Sequence, residues 1–184
     1  MSNILIGITG ASGQTYASRI IQILRAEIPL THTDLIYTDT AKIVWRDEMG
    51  SDPLPSIDNH SYYHKYASGS NSADIMIIIP CTMGTIGRIA NGTGGDLIAR
   101  AADVMLKERK PLVIVPRETP FNLIHLENLT RLAKAGAIIA PASPSFYTHP
   151  TNLDQLIDNF ARRILHIAGI HPLPTNNKYI PRIN

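Results

Sequence analysis

The run Ile75-Met76-Ile77-Ile78-Ile79 contains no polar side chain and stops at Pro80. It is far too short to cross a bilayer, which takes roughly 20 apolar residues. It also lacks the polar alternation of a strand with one wet face, so it reads as a strand covered on both sides. The pattern recurs along the chain. Asn3 to Thr9 is apolar and β-branched and ends in glycine, and Asp34 to Tyr37 is a second such segment. Leu112 to Val115 and Ala137 to Ala140 are each closed by a proline.

Helical patterns fill the intervals. Gln14 to Ala26 places Ala17, Ile20, Ile21 and Leu24 at helical spacing before Pro29. Lys42 to Met49, Gly84 to Ala90 and Leu97 to Arg109 continue the alternation. Asn122 caps a helix through Ala135 that Gly136 stops, and Thr151-Asn152-Leu153-Asp154 reads as a capping box for a last helix to Ala168. Five strands alternating with helices predict a single α/β domain with a parallel sheet and helices on both faces. Ser51 to Ser70, rich in Pro, Ser, Asn and Tyr, reads as loop. The domain is expected over 1–170, followed by a proline-rich C-terminal arm over 171–184.

A length of 184 residues suits one domain. Only 17% of residues are charged against 44% hydrophobic, which points to some surface being buried between subunits. The net charge of +2 is too balanced for a nucleic-acid footprint. Met1 leads into a strand without a basic leader, and the single cysteine, Cys81, permits no internal disulfide. The expectation is a cytoplasmic protein with neither a membrane nor a nucleic-acid partner.

Ligands of parallel sheets sit beyond the carboxyl ends of the strands. Four of the five expected ends carry suggestive residues: Gly10–Gly13, Pro80–Thr85, Pro116–Pro120 and Pro141–Tyr147. Gly7-x-x-Gly10-x-x-Gly13 is not the dinucleotide spacing, and no Gly-Lys-Ser/Thr follows it. What remains is a glycine turn with a hydroxyl at a helix start, where free N–H groups favour an anion. A plain strand-to-helix turn needs the same glycines.

In Cys81-Thr82-Met83-Gly84-Thr85 the thiol has no base partner and reads as packed, whereas the two threonine hydroxyls suit a ligand. Arg117-Glu118 sets an anion binder beside an acid/base group, with a surface ion pair as the alternative. Tyr147 is either lid packing or a phenol donor. Arg100, Lys107 and Arg163 read as solvated helix faces on their own. His60 to His64 lack nearby acidic or thiol ligands, so no metal is expected.

Taken in order, Gly7 to Gly13, Pro80 to Thr85, Arg100 to Arg109, Pro116 to Pro120 and Pro144 to Tyr147 resemble the UbiX-type flavin prenyltransferases, from about Ile4 to Gly169. The Arg-Ala-Ala-Asp-Val-x-Leu-Lys-Glu-Arg and Pro-Arg-Glu-Thr-Pro blocks make the resemblance specific. It implies a Rossmann-like flavoprotein, a dodecamer with FMN at subunit contacts. Such an enzyme joins a dimethylallyl group from dimethylallyl monophosphate to reduced FMN, builds a fourth ring without a metal, and supplies prenylated FMN to a UbiD-type decarboxylase.

By position, the resemblance assigns FMN contacts to Gly10, Ala11, Ser12, Thr38, Thr82, Met83, Gly84, Thr85 and Arg100. It gives the phosphate of the prenyl donor to Lys107, Arg117, Tyr147 and Arg163. Glu118 and Glu48 would handle protons and polarise the site, with Ser12 facing the reacting ring. Thr38 and Thr82 stand where the family commonly has serine, Asp96 where it has asparagine, and Tyr62 where it often has tryptophan. Related decarboxylases of cysteinyl peptides carry Pro-Ala-Ser-Ala-Asn-Thr and a histidine near the second helix. This chain has Pro-Cys-Thr-Met-Gly-Thr and no histidine between His32 and His60.

Overall fold

The computed structural model describes residues 2–173. Strands β1 (Asn3–Ile8), β2 (His32–Tyr37), β3 (Ile57–Asp58), β4 (Ile75–Cys81), β5 (Leu112–Pro116) and β6 (Ile138–Ile139) form one parallel sheet. Their order is β3-β2-β1-β4-β5-β6. Helices α1 (Gln14–Glu27), α2 (Asp39–Met49), α3 (Met83–Ala90), α4 (Leu97–Lys107), α5 (Leu123–Lys134) and α6 (Leu153–Ile167) make the connections. The strand order reverses between β1 and β4, which opens a crevice at their carboxyl ends.

The two-residue period of a strand divides the core. Ile4, Ile6 and Ile8 pack with Ile20 and Leu24 of α1 and Ile164 and Leu165 of α6. Leu5, Ile78 and Ile114 pack with Ile86 of α3, Ile98 of α4 and Leu132 of α5. Both faces of the sheet are therefore covered, as the continuous apolar runs require.

Four details differ from the sequence reading. The segment 51–70 contains β3, so the sheet has a sixth strand. Tyr66, 1% exposed, anchors that segment by donating its hydroxyl to Asp34 Oδ2 at 2.6 Å. β4 does not stop at Pro80 but runs through it to Cys81. The pairing with β5 is irregular between Ile78 and Cys81, so the missing proline N–H falls where the ladder is broken anyway. β6 is shorter than Ala137 to Ala140. Finally, α6 is capped one residue later than expected. Asn152 Oδ1 accepts the Gln155 N–H at 2.9 Å, and Gln155 Oε1 in turn accepts the Thr151 N–H at 2.9 Å.

The arm expected over 171–184 lies outside the described residues beyond Leu173. Leu173 itself is gripped on both sides of its peptide. Its N–H donates to Glu27 Oε2 at 3.0 Å, and its carbonyl accepts from Arg162 Nη1 at 3.1 Å. Among the described residues, no helix is long and apolar enough to cross a membrane.

Candidate active site

The crevice is built outward from the end of β1. Thr9 locks that strand to β4: its hydroxyl donates to the Pro80 carbonyl at 2.8 Å and accepts the Thr82 N–H at 2.8 Å. The chain then passes α2 so closely that a Cβ on Gly10 would lie 2.5 Å from Thr40 Cγ2. Gly13 starts α1 at φ 106°, a left-handed conformation that glycine adopts without strain. Ala11 is buried and Ser12 is exposed.

The anion at the start of α1 is the chain's own. Glu48 Oε2 accepts the N–H groups of Gly13 and Gln14 at 2.9 and 2.8 Å. This corrects the expectation that these amides stand open to a phosphate. Beneath them Gln14 is fully buried, its Nε2 donating to the Thr9 and Ala11 carbonyls at 2.9 and 2.8 Å.

Two further helices start on the same edge with hydroxyl caps. Thr38 Oγ1 accepts the Ala41 N–H at 3.1 Å, and Thr82 Oγ1 accepts the Thr85 N–H at 3.2 Å. Asp39 stands in the first turn of α2 with its carboxylate taken by His60 and Lys42, whereas the first turn of α3 has no acidic residue. Gly84 leaves open space beside α3, since a Cβ there would meet nothing within 4 Å. Met83 is buried in the core, so its side chain is not available to a ligand. Thr85 is 1% exposed and lies beneath Thr82 rather than at the rim.

At the end of β5, Arg117 and Glu118 flank an open cavity of about 360 Å³, lined also by Phe121 and Ser143. Arg117 donates its N–H to the Cys81 carbonyl at 3.3 Å, which ties this turn to the end of β4. Its guanidinium lies within electrostatic reach of Tyr16 on α1, whose phenol is pushed above its ordinary value chiefly by burial. Glu118 is exposed, with Oε1 accepting the Thr119 N–H at 2.9 Å. Tyr147 is 55% exposed in the loop after β6.

The remaining cations are dispersed. Arg100, one turn into α4, donates to the Ala67 carbonyl at 3.2 Å and to Asp103 at 2.7 Å. Lys107 pairs with Glu108 at the far end of α4. That end precedes β5 whereas Arg117 follows it, and five residues of strand separate the two edges by roughly 15 Å. Arg163 is exposed in the C-terminal half of α6, roughly 15 Å from the helix start. One copy of the chain thus brings together Ser12, Thr38, Glu48, Thr82, Arg117 and Glu118, but leaves Lys107 on the opposite edge.

Three contributors escaped the sequence reading. Tyr16 follows the glycine turn by one helical turn, and Arg88 lies three residues after Thr85, a spacing that sets both on one face of α3. Asn59 is fixed only by tertiary contact: its carbonyl and side chain accept the Leu97 and Ile98 N–H groups at 2.8 and 3.1 Å, capping α4. Cys81 is completely buried, and burial pushes its thiol up, so it is a packing group. His60 is taken by Asp39 at 3.0 Å, and His64 receives the Tyr66 N–H, so these histidines organise the loop.

The family model described as Flavoprotein matches residues 1–164. The flavin prenyltransferase UbiX of Methanocaldococcus jannaschii is 41% identical over 176 residues, covering 91% of this chain and 93% of that protein. A solved structure of AnUbiX (PadA1) in complex with FMN and dimethylallyl pyrophosphate is 34% identical. It superposes with a TM-score of 0.88 over 92% of this chain and 93% of its own. A dodecameric FMN-dependent UbiX-like decarboxylase from Escherichia coli O157:H7 has a TM-score of 0.85 at 35% identity, over 92% and 95% of the two chains.

Proposed function

Since this chain belongs to the Flavoprotein family and, within it, to the UbiX-type flavin prenyltransferases, we propose that it transfers a dimethylallyl group from dimethylallyl monophosphate to reduced FMN. The observation that carries this reading is the Arg117–Glu118 pair on an open cavity at the end of β5, beside the crevice between β1 and β4. A prenyl transfer needs a cation for the departing phosphate and a carboxylate for the proton at one place. The residues present also fit FMN, with the helix start at Thr38 for its anionic end and open space at Gly84.

Reduced FMN supplies the electron-rich ring that receives the prenyl group. Breaking the allylic C–O bond sends its electron pair to the phosphate. Arg117, Tyr147, Lys107 and Arg163 would stabilise the charge that grows there, which is where preorganised donors contribute most. Glu118 would accept the proton released as the new bond forms, and closing the fourth ring moves a further proton without consuming one. Glu48, held by two N–H groups of α1, keeps a fixed negative charge next to Ser12, where positive charge develops on the allyl fragment.

Lys107 cannot serve the Arg117 edge of its own copy, so it would act in the site of a neighbouring copy. A homo-oligomer, and by likeness to the Escherichia coli protein a dodecamer, is therefore part of the reading. The product would be prenylated FMN for a UbiD-type decarboxylase, made in the cytoplasm. Incubation with reduced FMN and either dimethylallyl monophosphate or the diphosphate tests the donor. The expected result is orthophosphate release from the monophosphate. Turnover of the diphosphate alone would overturn the donor assignment.

A further inference from the structure

The hydroxyls at the start of α3 are oriented from behind by an arginine. Arg88 Nη2 donates to Thr85 Oγ1 at 3.2 Å and to Asp96 Oδ2 at 3.0 Å. Asp96 is 8% exposed, and its other oxygen accepts the Ala99 N–H at 2.8 Å as the cap of α4. That cap fixes the carboxylate, and the carboxylate fixes the guanidinium between α3 and α4.

The Thr82 hydroxyl donates inward to Thr85, and Arg88 donates to the same oxygen. A guanidinium has no acceptor atom, so Arg88 can only donate to Thr85. Thr85 Oγ1 also accepts the Thr82 hydroxyl at 3.0 Å, which uses both of its lone pairs. The Thr82 proton is therefore spent inward. Thr82 is only partly buried at the crevice, and the face it offers there is an acceptor. A phosphate dianion only accepts hydrogen bonds, so it has nothing to give such a group. The ring imide N–H and the ribityl hydroxyls of a flavin are donors.

We propose that Arg88 is a positioning residue that, through Thr85, presents Thr82 as a hydrogen-bond acceptor to the ring or ribityl chain of the flavin and not to its phosphate. The proposal rests on the flavin reading above. It also accounts for the Asp at position 96, whose charge is matched by Arg88 within hydrogen-bond distance.

Riboflavin, which lacks the phosphate, separates the alternatives. Dissociation constants for FMN and riboflavin are measured by fluorescence quenching on the assembled wild-type protein and on Arg88→Met, Arg88→Lys, Thr82→Val and the Arg88→Met/Thr82→Val double variant. Thermal midpoints are recorded alongside. The expected result is that Arg88→Met and Thr82→Val each weaken both flavins by the same factor, about tenfold for one lost hydrogen bond. Arg88→Lys restores part of the loss, and the double variant is no weaker than either single one, because both break one network. Unchanged affinity in Arg88→Met, a loss confined to FMN, or losses that multiply in the double variant would each overturn the proposal. Failure of the wild-type protein to bind either flavin overturns the flavin reading instead, and that arm is read before any variant.

Discussion

Glu48 Oε2 lies 2.8 Å from the backbone nitrogen of Gln14 and 2.9 Å from that of Gly13, so the start of α1 is satisfied by a carboxylate from the last turn of α2. The glycine turn thereby holds a carboxylate from α2, and Ser12 stands exposed on it.

Removing that carboxylate should open the helix start. Glu48→Ala is expected to cost about 1 kcal/mol, or roughly 2–4 °C in a chain of this size. Glu48→Gln keeps an acceptor and should cost less. Added sulfate should raise the melting temperature of Glu48→Ala more than that of the wild type, because the freed N–H groups then receive the anion. An equal rise in both would show that the amides were never closed.

Glu118→Gln separates an enzyme from a flavin-holding protein. The variant should bind FMN with wild-type affinity and lose turnover by about 10²-fold or more, the usual worth of a placed acid/base. A loss of FMN affinity with turnover per bound flavin intact would remove Glu118 from the chemistry.

The separation of Lys107 from Arg117 predicts complementation. Lys107→Ala and Arg117→Ala should each be nearly inactive alone. Mixed by unfolding and reassembly, they should regain activity, since some sites then combine an intact Lys107 from one copy with an intact Arg117 from another. Absence of recovery in verified mixed oligomers would place both residues in one copy's site.

The Glu27–Arg162 pair makes stability depend on acid. The hydrogen bond from Arg162 holds the Glu27 carboxyl below its ordinary value of 4.5, and the two side chains are only 18% and 19% exposed. A carboxylate lowered on folding stabilises above its unfolded value and loses that contribution as the pH falls through its folded one. Glu27→Gln should therefore cost about 1–2 kcal/mol at pH 7. Melting curves should show the deficit shrinking as the pH drops below about 4. A deficit independent of pH would mean that the pair acts by packing alone.

The parts of this fold legible in the sequence are those written in contiguous residues. Ile75 to Ile79 announces a doubly covered strand because burial on both faces forbids polar side chains, and Asn122 announces a helix start because its side chain meets an N–H three residues on. β3 was invisible, since its two paired residues carry no periodicity and are held by the sheet edge and the buried Tyr66. Within the site, Thr82 and Arg117-Glu118 were legible from their places at strand ends. Glu48 was marked by resemblance, but not its engagement with Gly13, which spans 35 residues and depends on how α2 crosses α1. Arg88 escaped the sequence reading because its partner Asp96 lies at the start of another helix.

The most direct test of the account is the mass of the flavin itself. The protein is incubated anaerobically with reduced FMN and dimethylallyl monophosphate, denatured, and the released flavin weighed by mass spectrometry. The account predicts FMN heavier by one dimethylallyl group, formed by the wild type and lost in Glu118→Gln. Flavin recovered at the mass of unmodified FMN, with this donor and with other short allylic phosphates, would contradict it.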